Sequence, residues 1–387
     1  MNILLLAPHP FYQDRGTPIA VNLLLQALSK LGHTVDVLTY HEGTNVTYPG
    51  VTIHRIRKPL FVRNVPPGPS LKKILCDLAM LPKALSMANR KPYDLVHAVE
   101  ESVYMAMWIR RRNGVPYLYD MDSSLARQVA EKFSWLGVLL PLMTRMERAA
   151  IRGALAVVPV CDSLARIAEE DGARQVFLLR DISLLSPASP EDLELARTLV
   201  PRSESLCFMY IGNLEAYQGI DLMLDSFDEF LKDGNDAHLV IAGGKAADIQ
   251  MYQGKAKKMG IGESTFFLGP QPLHRMSALF NVADVLVSPR IKGNNTPMKI
   301  YSYLASGKAI LATALPTHTQ VLTPEVALLV PPDIRSFAGA MKALAKDESL
   351  RRKLATSAQY LAQACYSQAS FQKAVTELYA GIQKALT

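Results

Sequence analysis

The amino-acid sequence predicts an α/β protein made of two doubly wound domains that face each other across a cleft. Short apolar runs alternate with helical patterns from one end of the chain to the other, which is the pattern of parallel sheets covered by helices. At roughly 100–200 residues per domain, a chain of 387 residues is long enough for two or three such domains. In folds of this kind, ligands bind at the carboxyl ends of the strands.

Each half of the chain contains six candidate strands. Those of the first half are Ile3–Ala7, Val35–Thr39, Leu95–Ala98, Pro116–Tyr119, Leu155–Val160 and Val176–Leu179. Those of the second half are Cys207–Ile211, His238–Ala242, Thr265–Leu268, Val285–Ser288, Ala309–Thr313 and Ala327–Val330. The predicted domains are residues 1–185 and 205–367, joined by a polar linker at 186–204. A helix at 368–387 is expected to cross back and complete the first domain.

The composition is that of a packed globular protein, with 49% hydrophobic and 20% charged residues. It excludes a disordered, collagen-like or disulfide-scaffold chain. The four Cys residues are far apart and form no CxxC pair, so we expect reduced thiols in a cytoplasmic protein and no metal site. The longest apolar run, Trp135 to Met143, contains Pro141 and is shorter than the roughly 20 residues that a membrane span needs.

The formal charge of +7 is concentrated in residues 1–190, which contain 22 Lys or Arg and 16 Asp or Glu. Nine basic residues at positions 54–91 are opposed only by Asp77, and residues 132–152 are apolar on one side and basic at their ends. These segments predict an anionic membrane surface as a partner, with peripheral association at its cytoplasmic face. The alternatives are a solvated basic face and an ordinary packed helix. Nucleic acid is not expected, because the basic stretch lacks interleaved aromatic residues.

Three turns that connect a strand to a helix are typical of phosphate or sugar sites. The first contains Arg15 and Gly16 before Thr17, which is a favourable N-cap residue. The others are Gly212–Gly219 and the segment 288–295, which precedes a helix predicted to begin at Thr296. Free N–H groups at a helix N-terminus carry about half a positive charge, so such turns bind anions. For any one of them, the alternative is a tight turn without a ligand.

Several motifs of the second half, taken in order, resemble the donor domain of the family 4 glycosyltransferases. They are Tyr210–Asp221, Leu239–Gly244, Phe267–Gly269, Ala283–Pro289, Pro297–Lys308 and Leu329–Asp333. The first half resembles the family more loosely, through Arg15–Thr17, Leu31–Val35 and Tyr93–His97.

This resemblance implies the GT-B fold, in which two facing Rossmann-like domains enclose a deep interdomain cleft. It also implies a UDP- or GDP-sugar as co-substrate in the C-terminal domain, and a hydroxyl acceptor, lipid-linked or glycan, in the N-terminal domain. Retention of anomeric configuration is implied, with neither metal nor cofactor. The predicted function is therefore a retaining, hexosyl-type glycosyltransferase of glycolipid, polysaccharide or cell-envelope synthesis. The alternatives are a relative that uses a different activated sugar and a non-catalytic protein that binds glycans or nucleotides.

The sequence departs from the family pattern at residues that usually contact the donor. The family has two Glu separated by seven residues, and the matching positions here are Asn294 and Ser302. It also has an Arg and a Lys that neutralise the donor diphosphate, and the matching turn here contains Asn213 and Gln218. The usual carboxylates and cations are therefore missing at these positions.

A leaving diphosphate develops negative charge that preorganised cations stabilise. We expect Arg290 and Lys299 to replace the missing cations, Asn294 to hydrogen-bond sugar hydroxyls and Ser302 to offer a hydroxyl to the ribose. Lys299 and Asn294 are the predicted catalytic residues on the donor side, and the alternative for each cation is a surface charge. The remaining residues predicted to contact the donor are Gly212, Asn213, Gln218, Gly243, Lys292, Gly293, Asn295 and Thr296.

The predicted acceptor side lies at the carboxyl ends of strands in the first domain. Asp120 and Asp122 end an apolar strand and are the predicted catalytic residues there, because either can orient or deprotonate an acceptor hydroxyl. Helix capping is the alternative. His97 and Glu100 close another strand and are predicted to line the acceptor site, unless His97 is a satisfied core histidine. The other substrate-binding residues predicted in this domain are Arg15, Gly16 and Thr17.

Overall fold

The computed structural model of the protein describes residues 1–13, 16–66, 68, 70–124, 126, 140–200, 205–293 and 295–386. Two compact units are present, Met1–Arg180 with Phe371–Thr387, and Asp181–Ser370. Each unit contains a six-stranded parallel sheet flanked by helices, which confirms the predicted α/β class with two Rossmann-like domains. Arg15, Asn294 and residues 132–139 of the predicted membrane-facing segment lie outside the described residues.

The first sheet has the strand order β3-β2-β1-β4-β5-β6. Its strands are β1 Asn2–Ala7, β2 Thr34–Thr39, β3 Val51–Arg55, β4 Leu95–Val99, β5 Tyr117–Met121 and β6 Ala156–Pro159. Strand β3 was not predicted, because it is only partly buried and includes Thr, His and Arg side chains. The predicted strand at Val176–Leu179 is wrong, since this edge segment makes a single bridge, between Val157 and Val176, and no ladder.

The second sheet has the order β12-β11-β10-β7-β8-β9. Its strands are β7 Leu206–Ile211, β8 Ala237–Ala242, β9 Thr265–Gly269, β10 Val285–Ser288, β11 Ala309–Thr313 and β12 Leu328–Val330. All six were predicted, because both faces of this sheet are buried and its strands are therefore continuous apolar runs. Along β7, for example, Phe208 and Tyr210 pack into the core on one face, whereas Cys207 and Met209 pack into the core on the other.

Helices cover both sheets. The α-helices of the described residues are α1 Gly16–Lys30, α2 Leu71–Arg90, α3 Val103–Asn113, α4 Leu140–Gly153, α5 Asp162–Glu170, α6 Pro190–Leu199, α7 Ile220–Lys232, α8 Ala246–Lys258, α9 Met276–Val282, α10 Lys299–Ala305, α11 Pro316–Thr319, α12 Ile334–Lys346, α13 Glu348–Cys365 and α14 Gln368–Leu386. Within these described parts, no helix is long and apolar enough to span a membrane.

Helix α6 lies in the segment that sequence analysis interprets as a linker. The Ser189 side chain caps it by accepting a hydrogen bond from the backbone N–H of Asp192, at 3.1 Å. Ala196 and Val200 are buried in a core of the second unit. Most residues of the segment are polar, as in a linker, because only a narrow face of this helix is buried and apolar.

The last helix, α14, belongs to the first unit and contacts a buried histidine of its sheet. His97 is fully buried in β4; its Nε2 lies 3.1 Å from Asp120 Oδ2 and its Nδ1 lies 2.7 Å from the Tyr379 hydroxyl. An ionised carboxylate only accepts hydrogen bonds, so His97 donates to Asp120 and accepts from Tyr379. This geometry favours the alternative that His97 is a satisfied core histidine.

Replacing Tyr379 with Phe is expected to destabilise the fold. The variant keeps the ring that stacks on His97 but leaves a buried imidazole nitrogen without its donor. The free energy of unfolding, measured by urea denaturation, is expected to fall by roughly 1–3 kcal/mol. The matched control is Tyr360→Phe on α13, where the side chain is exposed. Equal stability of the two variants would contradict the assignment.

Candidate functional site

The carboxyl edge of the second sheet brings together the turns that follow β7, β8 and β10. The strand order reverses between β7 and β10, and ligands of doubly wound sheets bind at such a reversal. The turn after β7 includes a short 3₁₀ helix, Ala216–Gln218. The backbone N–H of Ile291 donates to the Tyr217 carbonyl at 3.0 Å, which joins this turn to the loop after β10.

Gly212 and Gly243 allow two of these turns to pack backbone against backbone. Gly243 has a φ of 113°, and a side chain at this position would collide with the carbonyl group of Gly212. The Gly212 N–H donates to the Ala242 carbonyl at 3.0 Å. Both glycines were predicted to contact substrate. In the structure, the backbones of the two turns approach each other so closely that residue 243 must be glycine.

Arg290 is the buried cation of this edge, with only 8% of its surface exposed. Its guanidinium donates to Thr317 Oγ1 at 2.9 Å and to the Asn295 carbonyl at 3.1 Å, and it lies 5.1 Å from the centre of the Tyr217 ring. Its Nε has no hydrogen-bond partner within the described residues, and no described carboxylate pairs with it. Burial lowers the pKa of Arg290, so the positive charge is held where it is poorly solvated.

Lys299, the first residue of α10, is a second cation at the same edge. Its Nζ lies 3.4 Å from Gln218 Oε1 and 4.0 Å from the centre of the Tyr210 ring. Loss of hydration, followed by repulsion from Arg290, holds the pKa of Lys299 well below its usual range. In the described part of the chain, no carboxylate offsets either charge. A bound anion would stabilise both cations.

A buried histidine network fixes the position of Arg290. His318 is fully buried on α11, with Nε2 2.9 Å from Ser288 Oγ and Nδ1 2.8 Å from the Thr313 carbonyl. The Thr313 hydroxyl donates to the Arg290 carbonyl at 2.6 Å. Burial lowers the pKa of His318 to about 3, with further contributions from the charges of Lys299 and Arg290. His318 is therefore neutral at pH 7 and donates from Nδ1 while accepting at Nε2.

These supporting residues were missed in the sequence analysis. A sequence signal for them was nevertheless present. The buried strand β11 ends at Thr313, and a helix that begins with Pro316 and contains His318 follows it closely. This is the same arrangement that identified the other three turns. Tyr210 and Tyr217, whose rings contact the two cations, were missed because an aromatic residue beside a strand is more often part of the core.

The other residues predicted on the donor side lie around these two cations or on the surface. The helix predicted to begin at Thr296 instead begins at Lys299, after a turn in which the Ile300 N–H donates to the Pro297 carbonyl. Gln218 and Thr296 are buried and Ser302 is partly buried, whereas Lys292 and Asn295 are exposed. Gly293 lies against the Arg290 guanidinium. Asn213 accepts a hydrogen bond from the Tyr210 hydroxyl through its carbonyl, at 2.6 Å.

In the first unit, the residues predicted on the acceptor side lie in or just after β4 and β5 and at the start of α1. Asp122 follows β5 at the carboxyl edge and is partly buried, whereas Asp120 is held within β5 by His97. Gly16 and Thr17 are the first residues of α1. Glu100 has a φ of 49°, and its Oε2 lies 3.3 Å from Lys73 Nζ.

Lys73 belongs to a buried charge cluster rather than to the surface. Its Nζ contacts Glu101 Oε1 at 2.7 Å as well as Glu100, and Asp77 lies close by and accepts a hydrogen bond from the Tyr40 hydroxyl at 2.5 Å. Burial raises the pKa of Glu101 to about 8 and that of Asp77 to about 6. Among the described residues, no cluster of three or more metal-ligating side chains has an arrangement that would hold a metal ion.

The neutral state of His318 predicts a pH dependence of stability. Its pKa in the folded protein is about 3, below the ordinary 6.5, so the unfolded chain binds more protons between these two values. The stabilising contribution is complete above pH 6.5 and is lost as the pH falls toward 3, by roughly 1 kcal/mol per pH unit. The variant His318→Gln is expected to be less stable at pH 7 and to lose less stability on acidification.

Urea denaturation at a series of pH values measures this difference. The control is His274→Gln, because His274 is an exposed histidine of the same unit. Parallel pH curves for wild type and His318→Gln would show that His318 is not held neutral.

Comparisons with known proteins identify the family of the chain. Residues 15–180 match the model of glycosyl transferase 4-like domains, and residues 194–360 match that of group 1 glycosyl transferases. No curated protein sequence matches the chain. Sucrose-phosphate synthase from Thermosynechococcus elongatus has a similar structure, with 19% identity, 99% of both chains covered and a TM-score of 0.80.

Two further solved structures share the fold. HepE from Anabaena in complex with UDP is 15% identical over 98% of this chain and 100% of its own, with a TM-score of 0.76. WaaG, a glycosyltransferase involved in lipopolysaccharide biosynthesis, is 14% identical over 96% of this chain and 98% of its own, with a TM-score of 0.70. The two family models cover one unit each, and the chain belongs to the family 4 glycosyltransferases, with their GT-B fold.

Proposed function

We propose that this glycosyltransferase moves a sugar from a nucleoside diphosphate to a hydroxyl acceptor with retention of anomeric configuration. The observation that carries the proposal is the pair of cations, Arg290 and Lys299, at the strand reversal of the second sheet. Neither has a carboxylate partner among the described residues. A diphosphate supplies the negative charge that this edge lacks. HepE, which shares the fold, has been solved with UDP and with UDP-glucose, which supports a uridine nucleotide as the donor.

The Lys299 ammonium group lies beside the turn in which the usual family cation is missing. The resemblance places a Lys of the family at Gln218, and the Lys299 Nζ lies 3.4 Å from the Gln218 amide oxygen. The ammonium group thus reaches the same turn from a different helix. Arg290 is held in a fixed direction by Thr317 and by the Tyr217 ring. When the glycosidic bond breaks, these two charges stabilise the leaving diphosphate without reorganisation.

Removing both cations is expected to abolish tight nucleotide binding. Each charge-assisted hydrogen bond contributes roughly 1.5–3 kcal/mol, so Arg290→Ala/Lys299→Ala should bind nucleotide at least roughly a hundredfold more weakly. Calorimetry with UDP, GDP and their hexose conjugates measures the affinity, and release of free nucleotide measures turnover. Circular dichroism and thermal unfolding establish that the variant is folded.

The matched control is Lys346→Ala, which removes an exposed lysine at the end of α12 in the same unit. It should bind nucleotide as the wild type does. Unchanged affinity of the double variant would contradict the role of the two cations. A wild type that binds a nucleotide sugar without consuming it would indicate a non-catalytic binding protein.

On the acceptor side, we propose that Asp122 orients or deprotonates the attacking hydroxyl of a lipid-linked or glycan acceptor. Asp122 follows β5 at the carboxyl edge of the first sheet, the edge at which such folds bind ligands. Asp120 lies within β5 and hydrogen-bonds His97, whereas Asp122 lies beyond the end of the strand. This position past the strand end makes Asp122 the better candidate of the two. The fold shared with WaaG supports an acceptor of glycolipid or cell-envelope synthesis.

Asp122→Asn is expected to lower turnover at least roughly tenfold, within the range that a positioned acid or base contributes, with little change in nucleotide affinity. The control is Asp94→Asn, because Asp94 lies just before β4 at the opposite edge of the same sheet and accepts a hydrogen bond from the Asn2 N–H at 2.7 Å. Steady-state rates with saturating donor distinguish the two variants. Normal turnover of Asp122→Asn would show that this carboxylate has only a structural role.

A further inference from the structure

The outer face of α2 carries large apolar side chains that no described residue covers. Leu71, Ile74, Leu75 and Leu78 recur at the spacing of one helical face, and Leu71 and Leu78 are 73% and 63% exposed. The opposite face is already buried in the first core. Its residues are Cys76, Met80, Ala84 and Ala88. The helix is therefore apolar on both sides, and one of them faces outward.

The loop before α2 extends this apolar surface. Phe61 is 98% exposed and has a φ of 61°, a backbone conformation that is disfavoured for a bulky residue, and the neighbouring Leu60 is 84% exposed. The loop is nevertheless anchored on either side of the tip. Val62 and Val65 are buried in the core, and the Glu42 carboxylate accepts hydrogen bonds from the backbone N–H groups of residues 64 and 65, at 2.7 and 3.0 Å.

A hydrogen bond places the loop beside the helix. The Lys72 Nζ, in the first turn of α2, donates to the Arg63 carbonyl at 2.6 Å. The fold thus holds Phe61 and Leu60 outward next to the exposed face of α2. We call the six residues Leu60, Phe61, Leu71, Ile74, Leu75 and Leu78 the α2 apolar surface.

The exposed charged side chains of α2's first turn and of the loop before it are positive. The exposed cations of the loop and the first turn are Arg57, Lys58, Arg63 and Lys72. The only acid between positions 54 and 91, Asp77, points inward to the Tyr40 hydroxyl. The Lys73 side chain, next to Lys72 in α2, is largely buried and is paired with Glu100 and Glu101. The fold therefore places the acids of this region inside and leaves the cations around the apolar patch.

We propose that the α2 apolar surface docks the protein on an anionic lipid bilayer. The aliphatic and Phe side chains enter the boundary between headgroups and acyl chains, and the surrounding cations contact anionic headgroups. The exposed cations of the rim favour lipid over a protein partner or a second copy of the chain, because either of those would need complementary acidic groups. Docking is independent of the proposed sugar transfer, and it uses the first unit alone.

Co-sedimentation with vesicles tests the proposal. The protein is expected to bind vesicles of phosphatidylcholine with roughly one phosphatidylglycerol in three lipids, and to bind less as salt is raised or phosphatidylglycerol is omitted. Phe61→Ser/Leu71→Ser/Leu78→Ser should reduce the lipid partition coefficient at least tenfold. Lys58→Glu/Arg63→Glu should remove the preference for the anionic lipid. These side chains are exposed, so the variants keep the fold and their affinity for nucleotide.

Matched controls come from the second unit. Met251→Ser/Tyr360→Ser removes two exposed large side chains, and Lys346→Glu reverses an exposed charge; both variants should bind vesicles as the wild type does. A tryptophan at position 61, in Phe61→Trp, should show blue-shifted fluorescence and quenching by brominated lipid, whereas one at position 360, in Tyr360→Trp, should not.

Three results would overturn the proposal. The first is a wild type that stays in the supernatant with anionic vesicles at low salt. The second is equal binding by the serine variant and the wild type. The third is a dimer in solution that the same serine substitutions dissociate, which would identify a second copy of the chain as the occupant. Nucleotide affinity, measured on the same samples, separates any of these results from a failure of the proposed sugar transfer.

Discussion

Positive charge without a counterion at the carboxyl edge of the second sheet is the constraint on which the site depends. Arg290 is buried and Lys299 is partly buried, and no described carboxylate offsets either of them. Holding such charges in place requires a scaffold that cannot relax, and the surroundings provide it through aromatic rings, threonine hydroxyls and backbone carbonyls. His318 can join this scaffold only as a neutral imidazole, because a third positive charge beside the first two would be repelled.

The chain departs from the family pattern in sequence at this edge of the sheet, although two basic side chains, Arg290 and Lys299, lie there. The turn after β7 contains Asn213 and Gln218 where the resemblance implies Arg and Lys. Lys299 reaches this turn from the start of α10, and its Nζ lies beside the Gln218 amide. The electrostatic energy of a bound diphosphate depends on where a positive charge lies and not on which secondary-structure element supplies it. A cation can therefore move between elements, provided that its ammonium or guanidinium group reaches the same place.

The charged residues that give the net charge of +7 are distributed differently in the two units. The second half of the chain is nearly neutral, so two well-placed cations determine its electrostatics. In the first unit the basic residues are many, and the fold sorts them: Lys73 is buried with Glu100, Glu101 and Asp77, whereas the cations around the α2 apolar surface stay exposed. The number of charges alone describes neither situation, since burial decides which of them act on a ligand or a surface.

The fold class follows from local patterns in the sequence, because the strands of parallel sheets buried on both faces must be continuous apolar runs, as the second sheet illustrates. The sequence also indicated the turns after β7 and β10, because a strand end, a glycine and a helix start can each be recognised from neighbouring residues. Strand β3 was not predicted, because a partly buried edge strand can include polar residues that break the apolar pattern. The contacts between polar side chains, in contrast, depend on the tertiary packing. His97 contacts Tyr379 of the last helix, Arg290 contacts Thr317 of α11, and Lys73 turns inward while Lys72 does not. Such pairs depend on how distant segments pack, and no local pattern of residues encodes that.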